Sequence, residues 1–126
     1  MTREIVNDHA ASLPGATHSD PWGGGHDAWK VGSKLFAVVG ASDDHGVDVT
    51  CDSIKTAQLL TLMDRAHVAP YFHKSWVRIS WGLVDEAELR ERIATSYTII
   101  RSALSKKAQA ALGGRARRSK GVFERV

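Results

Sequence analysis

The segment "SWVRISW", Ser75–Trp81, decides how this chain folds, because its apolar residues stand at every second position. Side chains along a β-strand point alternately to the two faces of the sheet. One face of the predicted strand carries Val77, Ile79 and Trp81, and we expect it to be core. The other face carries Trp76, Arg78 and Ser80, and we expect it to be partly exposed.

The segments that precede it predict four more strands, of which "HVAPYFHK", residues 67–74, is the nearest in the chain. "HGVDVTC", residues 45–51, alternates in the same way and predicts a half-buried strand with Asp48 and Thr50 facing outward. "AWKVGSKLFAVVGA", residues 28–41, predicts two strands joined by a turn near Gly32–Lys34. The stretch from Leu13 to Asp27 is rich in glycine and proline, which predicts a loop.

Three helices are predicted around these strands. The first runs from a Thr2 cap to about Leu13, and the second follows a cap at Asp52 or Ser53. The third begins at Asp85-Glu86 and is expected to continue until Gly113-Gly114. The two periodicities predict a buried set comprising Val47, Val49, Cys51, Val77, Ile79, Leu89, Ile93 and Ile100.

The predicted order of elements is α-β-β-β-α-β-β-α. Short connections between successive strands predict antiparallel pairing, and the apolar face of such a sheet must be covered by helices. The sequence therefore predicts a two-layer α+β sandwich with the helices on one face. Residues 1–112 are expected to form a single domain, and residues 113–126 a basic, flexible tail.

Composition limits the class of protein. The chain has 126 residues and a single cysteine, so an internal disulfide is excluded and a reducing compartment is expected. No apolar run approaches the length that spans a bilayer, and the N-terminus does not resemble a signal peptide. We expect a cytoplasmic protein without a membrane partner. The charge is distributed unevenly along the chain. Residues 101–126 include eight basic residues and one acidic residue, whereas residues 1–100 include nine basic and thirteen acidic residues.

Several motifs together resemble the MmcQ/YjbR family: "LPGAT" after the first helix, "WKVGSKLFAVV", "VDVTCD" before a helix, the His73–Val77 stretch, and "ELRERIATSYTIIRSAL". The resemblance covers about residues 2–104. It implies a compact α/β fold, similar to secretion-chaperone-like and frataxin-like folds and described as a double-wing DNA-binding motif. DNA binding is what the resemblance implies for function.

Basic and aromatic residues on the outward face of Ser75–Trp81 form the candidate contact surface. Cations there would contact phosphates, and rings would stack on bases. The alternative is that Arg78 merely stacks on Trp76 on a solvated sheet face. The basic tail is a second candidate, with a solubilising terminus as its alternative. The candidate nucleic-acid-binding residues are Lys30, His73, Lys74, Trp76, Arg78, Arg115, Arg117, Arg118 and Lys120.

Other chemistry finds little support. The six histidines lack metal-ligand spacing, "GGGH" lacks the features of a phosphate loop, and Cys51 is expected to be a buried structural thiol. No catalytic residues, metal or cofactor are therefore predicted. The sequence favours a non-enzymatic binding protein with DNA as its partner. The alternative is a chaperone-like protein-interaction module without nucleic-acid binding, and the oligomeric state stays open.

Overall fold

The computed structural model describes residues 3–41, 45–69 and 72–112. Within these ranges the chain forms helices and strands in one order along the sequence. The elements are α1 (Arg3–Ala11), β1 (Ala16–Ser19), β2 (Asp27–Val31), β3 (Lys34–Val39), β4 (Gly46–Thr50), α2 (Ile54–Leu62), β5 (His67–Val68), β6 (Trp76–Ser80), α3 (Glu86–Ser102) and α4 (Lys106–Ala111).

The strands form one sheet in the order β1-β2-β3-β4-β6-β5, and each neighbouring pair is antiparallel. The predicted α+β class and the antiparallel pairing are confirmed. β2 and β3 are joined at Gly32 and Ser33, which both have positive φ. Two residues in that conformation suit a tight hairpin, so the predicted turn is confirmed.

The core lies between one face of this sheet and the helices. Val47 and Val49 of β4 pack with Val77 and Ile79 of β6, and all three longer helices add buried residues to the same cluster. Ser53 and Asp85 cap α2 and α3 by accepting bonds from backbone amides, as predicted. Of the eight residues predicted to be buried, seven are buried and Ile100 is partly buried.

Three local predictions are wrong. Residues 16–19 form β1 instead of a loop. The strand is held by backbone hydrogen bonds to β2, and this tertiary pairing cannot be read from the local sequence of residues 16–19. The third helix ends at Ser102, and Ser105 caps a separate helix, α4, by accepting a bond from the Ala108 amide. The outward residues Asp48 and Thr50 are buried, because β4 is a central strand with neighbours on both sides.

A buried serine joins α3 to the centre of the sheet. The β3–β4 register, Ala37 opposite Val49 and Val38 opposite Asp48, would place Phe36 opposite Thr50. The Ser96 hydroxyl lies between these two residues: it donates to the Phe36 carbonyl at 2.6 Å and accepts from the Thr50 amide at 3.0 Å. The register of β2 against β3 also shifts here and leaves Phe36 unmatched. Ser96 thus satisfies backbone groups that the irregular sheet does not pair.

Replacing Ser96 with alanine should lower the free energy of unfolding by about 1–3 kcal/mol, because two buried backbone groups lose their partner. Urea denaturation measures the change. Thr98→Ala, which removes an exposed hydroxyl from the same helix, is the matched control and should stay within about 0.5 kcal/mol of wild type. Equal stability of the two variants would contradict the bridging role of Ser96.

His9 of α1 contacts Arg90 of α3, and its surroundings predict that stability depends on pH. Its Nε2 atom is buried and has no hydrogen-bond partner in the described part of the chain, and Arg90 Nη1 lies 3.5 Å from its Nδ1. Burial and the Arg90 charge lower the pKa of His9, and they outweigh the opposing effect of Asp8. The unfolded chain therefore binds a proton more readily than the folded chain.

Stability should consequently be lost as pH falls below about 6.5, the ordinary histidine value, and should be fully present above it. Melting temperatures at pH 7.5 and pH 5 measure this loss. His9→Gln removes the titrating group and should show a smaller decrease than wild type. His67→Gln removes an exposed histidine and should behave like wild type. An unchanged decrease in the His9 variant would refute the assignment.

Candidate nucleic-acid interface

β6 presents its side chains as the alternation predicts. Val77 and Ile79 are buried in the core, whereas Trp76 and Arg78 lie half-buried on the opposite face. The strand is held between β4 and β5, which fixes the direction of each side chain. The backbone of β6 therefore holds the Trp76 and Arg78 side chains in fixed directions, on the sheet face away from α3.

Arg78 is engaged by the neighbouring strand. Its Nε donates to Asp48 Oδ1 at 2.8 Å, and its Nη2 donates to Asp48 Oδ2 at 3.1 Å. This two-bond geometry is the strongest form of an arginine–carboxylate pair. The Asp48 side chain is only 7% exposed, so its charge needs this partner. Arg78 thus stabilises the β4–β6 pair, and Asp48 offsets its charge.

Trp76 stacks on Phe72 instead of on Arg78. The two ring centroids are 4.6 Å apart and the ring planes are inclined by 18°. The expected alternative, in which Arg78 stacks on Trp76, does not describe the contact that the structure shows. The stacked pair forms a wall of a cleft of about 450 Å³, called the aromatic cleft below. Its lining also includes Trp22, Lys30 and Lys34.

The other side of the same stacked pair borders a second depression. Phe72 and Trp76, with His73 and Lys74, line a groove of about 550 Å³ between α2 and the β5–β6 region, called the apolar groove below. His73 Nδ1 accepts a hydrogen bond from the Ser75 amide at 3.1 Å. The structure thus groups Lys30, His73, Lys74 and Trp76 around one aromatic pair.

The sequence interpretation missed three members of this surface. Lys34 was assigned to a turn, and Trp22 and Phe72 stand in irregular segments where periodicity gives no signal. The Trp22 side chain is 56% exposed, which is unusual for tryptophan in a small domain. The predicted tail residues Arg115, Arg117, Arg118 and Lys120 lie outside the described residues.

Lys30, Lys34 and Lys74 form no ion pair within the described part of the chain, in contrast to most of its arginines. Neither depression has an acidic side chain among its described lining residues. The Asp48 carboxylate on the same sheet face is already paired with Arg78, so the positive charge of the lysines creates a local potential that attracts anions.

The histidine- and aspartate-containing loop before β2 is occupied by its own contacts. Asp27 binds Arg3 at 2.9 Å and His18 at 2.6 Å. Burial alone would raise the pKa of Asp27, but hydrogen bonds from His18 and Asn7 and the Arg3 charge lower it overall. The Asp20 carboxylate accepts the Gly25 and His26 amides, which lowers its pKa.

In residues 3–41, 45–69 and 72–112, no three His, Cys, Asp or Glu side chains are placed to hold a metal ion. Cys51 is buried, as predicted, and its burial raises the pKa of the thiol. A raised pKa keeps the thiol protonated and unreactive at neutral pH. Across the same ranges, each helix is too short or too polar to cross a membrane.

Comparison with known proteins places the fold in context. The crystal structure of Deinococcus radiodurans protein DR2400, which contains a DUF419 domain, is similar with a TM-score of 0.76 and 19% sequence identity. The similarity covers 89% of this chain and 88% of that chain. At this identity it establishes a shared fold. No curated protein matches the sequence.

The family resemblance drawn from the sequence motifs is confirmed by a family model. The YjbR family model matches residues 11–99, which run from the end of α1 to the last turn of α3. The match therefore includes the sheet, Ser96, the described lining of the apolar groove, and the described lining of the aromatic cleft except Ile100. This chain belongs to the YjbR family.

Proposed function

We propose that this protein is a non-enzymatic binding protein that engages DNA through the aromatic cleft, with single strands as the preferred form. The observation that carries the proposal is the stacked Phe72–Trp76 pair flanked by Lys30, Lys34 and Lys74. Single-strand binding surfaces combine aromatic rings, on which bases stack, with cations that follow the phosphates.

The charge distribution supports the same mode. Arg78 forms an ion pair with Asp48, whereas the three lysines around the aromatic pair form no ion pair among the described residues. Lysine ammonium groups contact phosphates without reading bases. Trp76 and Trp22 would supply ring faces to bases, a contact that tolerates any sequence. The proposal therefore implies weak sequence preference and marked salt dependence.

Affinity for a labelled single-stranded oligothymidine should fall about tenfold in the Lys30→Glu/Lys34→Glu double variant, because two phosphate contacts become repulsive. Fluorescence anisotropy at fixed salt measures the change. Lys106→Glu/Lys107→Glu, on exposed positions of α4, alters the net charge equally and is the matched control. Trp76→Ala should weaken binding by about 1–3 kcal/mol if one base stacks there.

An equal loss of affinity in the two double variants would mean that net charge alone, and not the aromatic cleft, attracts the strand. The proposal that bases stack on Trp76 would be contradicted if duplex bound more tightly than single strand and Trp76→Ala had no effect. Melting temperatures of all variants show whether each chain is folded, so a lost interaction is separated from a lost structure.

The tail is the second proposed source of affinity. Removal of residues after Leu112 eliminates five basic residues and one acidic residue. Leu112 itself should be kept, because it packs against the core. If the tail neutralises about four phosphates, the slope of log K against log salt should become about 3 less steep. The truncated chain should still depend on Trp76, and complete loss of binding would show that the tail alone carries affinity.

The alternative of a protein-interaction module stays a prediction. That function would require an exposed apolar surface that a partner chain covers on binding.

A further inference from the structure

We propose that the apolar groove is a binding site for a small straight-chain monocarboxylate, such as a medium-chain fatty acid. The groove has a volume of about 550 Å³, which lies in the range of small-molecule sites. Its described lining residues come from α2, from β5 and β6, and from Ala69 and residues 72–74 between these two strands. The groove shares Phe72, Trp76 and Lys74 with the proposed DNA-binding surface, but the inference does not rest on DNA binding.

The lining is suited to a hydrocarbon chain. Most of its described residues are apolar, and two of them are highly exposed: Leu62 at 81% and Val68 at 72%. Ile54 at the start of α2 is also exposed. Large apolar side chains that border a depression mark a ligand or partner site more often than a bare surface. A bound alkyl chain would remove Leu62 and Val68 from water and gain free energy from their burial.

The basic residues of the lining are suited to a carboxylate. These are Lys74 and His73, and Lys74 has no ion-pair partner within the described residues. Because the Ser75 amide donates to His73 Nδ1, this nitrogen is an acceptor, and the neutral ring carries its proton on Nε2. Lys74 and His73 therefore offer N–H donors to an anion.

Charge selects the ligand class. The described lining includes Gln58, Thr61, His73 and Lys74 as its polar side chains, and none of its side chains is acidic. An alkylammonium ion would meet Lys74 without a counter-charge, and a neutral alcohol would gain no charge-assisted bond. A ligand that combines an apolar chain with one terminal negative charge is complementary to both parts of the site.

Isothermal titration of the full chain with decanoate tests the proposal. Decanoate should bind with a stoichiometry of one, decan-1-ol about tenfold more weakly, and decyltrimethylammonium not measurably. Lys74→Met should weaken decanoate about tenfold and leave decan-1-ol unchanged. Lys34→Met, an exposed lysine of the aromatic cleft that does not line the groove, is the matched control and should bind decanoate like wild type.

Leu62→Asp provides a second variant that should remain folded, because the side chain is highly exposed. It places an acid in the path of the alkyl chain and should weaken decanoate about tenfold or more. Leu59→Asp, on the same helix but outside the groove lining, is its control and should bind normally.

Absence of decanoate binding would overturn the proposal, as would equal affinities for decanoate and decan-1-ol. Equal weakening by Leu59→Asp and Leu62→Asp would also overturn it, since a residue outside the groove lining would then matter as much as one inside it. Neither Leu62→Asp nor Leu59→Asp alters the lysines of the aromatic cleft. Failure here therefore leaves the DNA-binding test intact, and failure of the DNA-binding test leaves this one intact.

Discussion

The architecture depends on one hydroxyl group. Ser96 occupies the gap between the Phe36 carbonyl and the Thr50 amide, at the point where the central strands β3 and β4 part. Without a donor and acceptor at that position, two backbone groups would be buried unpaired, which is costly in an apolar interior. Because the hydroxyl belongs to α3, the helix is held to the sheet at a fixed position along its length. Ile93 and Tyr97 pack on either side of this contact, and the Tyr97 ring meets Phe36 edge-on.

The two faces of the same sheet differ in chemistry. The face toward α3 is apolar and carries stability, whereas the opposite face combines the Asp48–Arg78 pair with aromatic and lysine side chains. The buried pair fixes β4 against β6 and so fixes the backbone that presents Trp76. Phe72 then keeps the indole ring upright by stacking on it. The aromatic pair forms a ridge between the aromatic cleft and the apolar groove, so each depression has one rigid wall.

Regular segments of this fold could be predicted from the sequence, and irregular ones could not. The strand core follows a strict two-residue period at Val47, Val49, Val77 and Ile79. The helix caps Ser53 and Asp85 accept hydrogen bonds from amides three residues away. Both features depend on residues that are close in sequence, so they could be predicted. β1 was missed because its pairing with β2 is tertiary. Ser96 and Phe72 were missed because their partners are distant in sequence or set by a turn. Of the candidate site residues, Lys30 lines the aromatic cleft, Lys74 lines the apolar groove and Trp76 lines both, whereas Arg78 is engaged by Asp48. Whether any of them contacts DNA stays a prediction.

The outermost strands are short: β1 has four residues and β5 has two. An exposed strand edge is a template on which further chains can add, and a long apolar edge leads to aggregation. Val68 stands on the β5 edge next to the exposed Leu62, so this is the side where such growth would begin. A two-residue edge offers an incoming strand too few hydrogen bonds to hold it in register. An insertion that lengthened β5 would therefore be expected to promote edge-to-edge association of chains before it affected the fold.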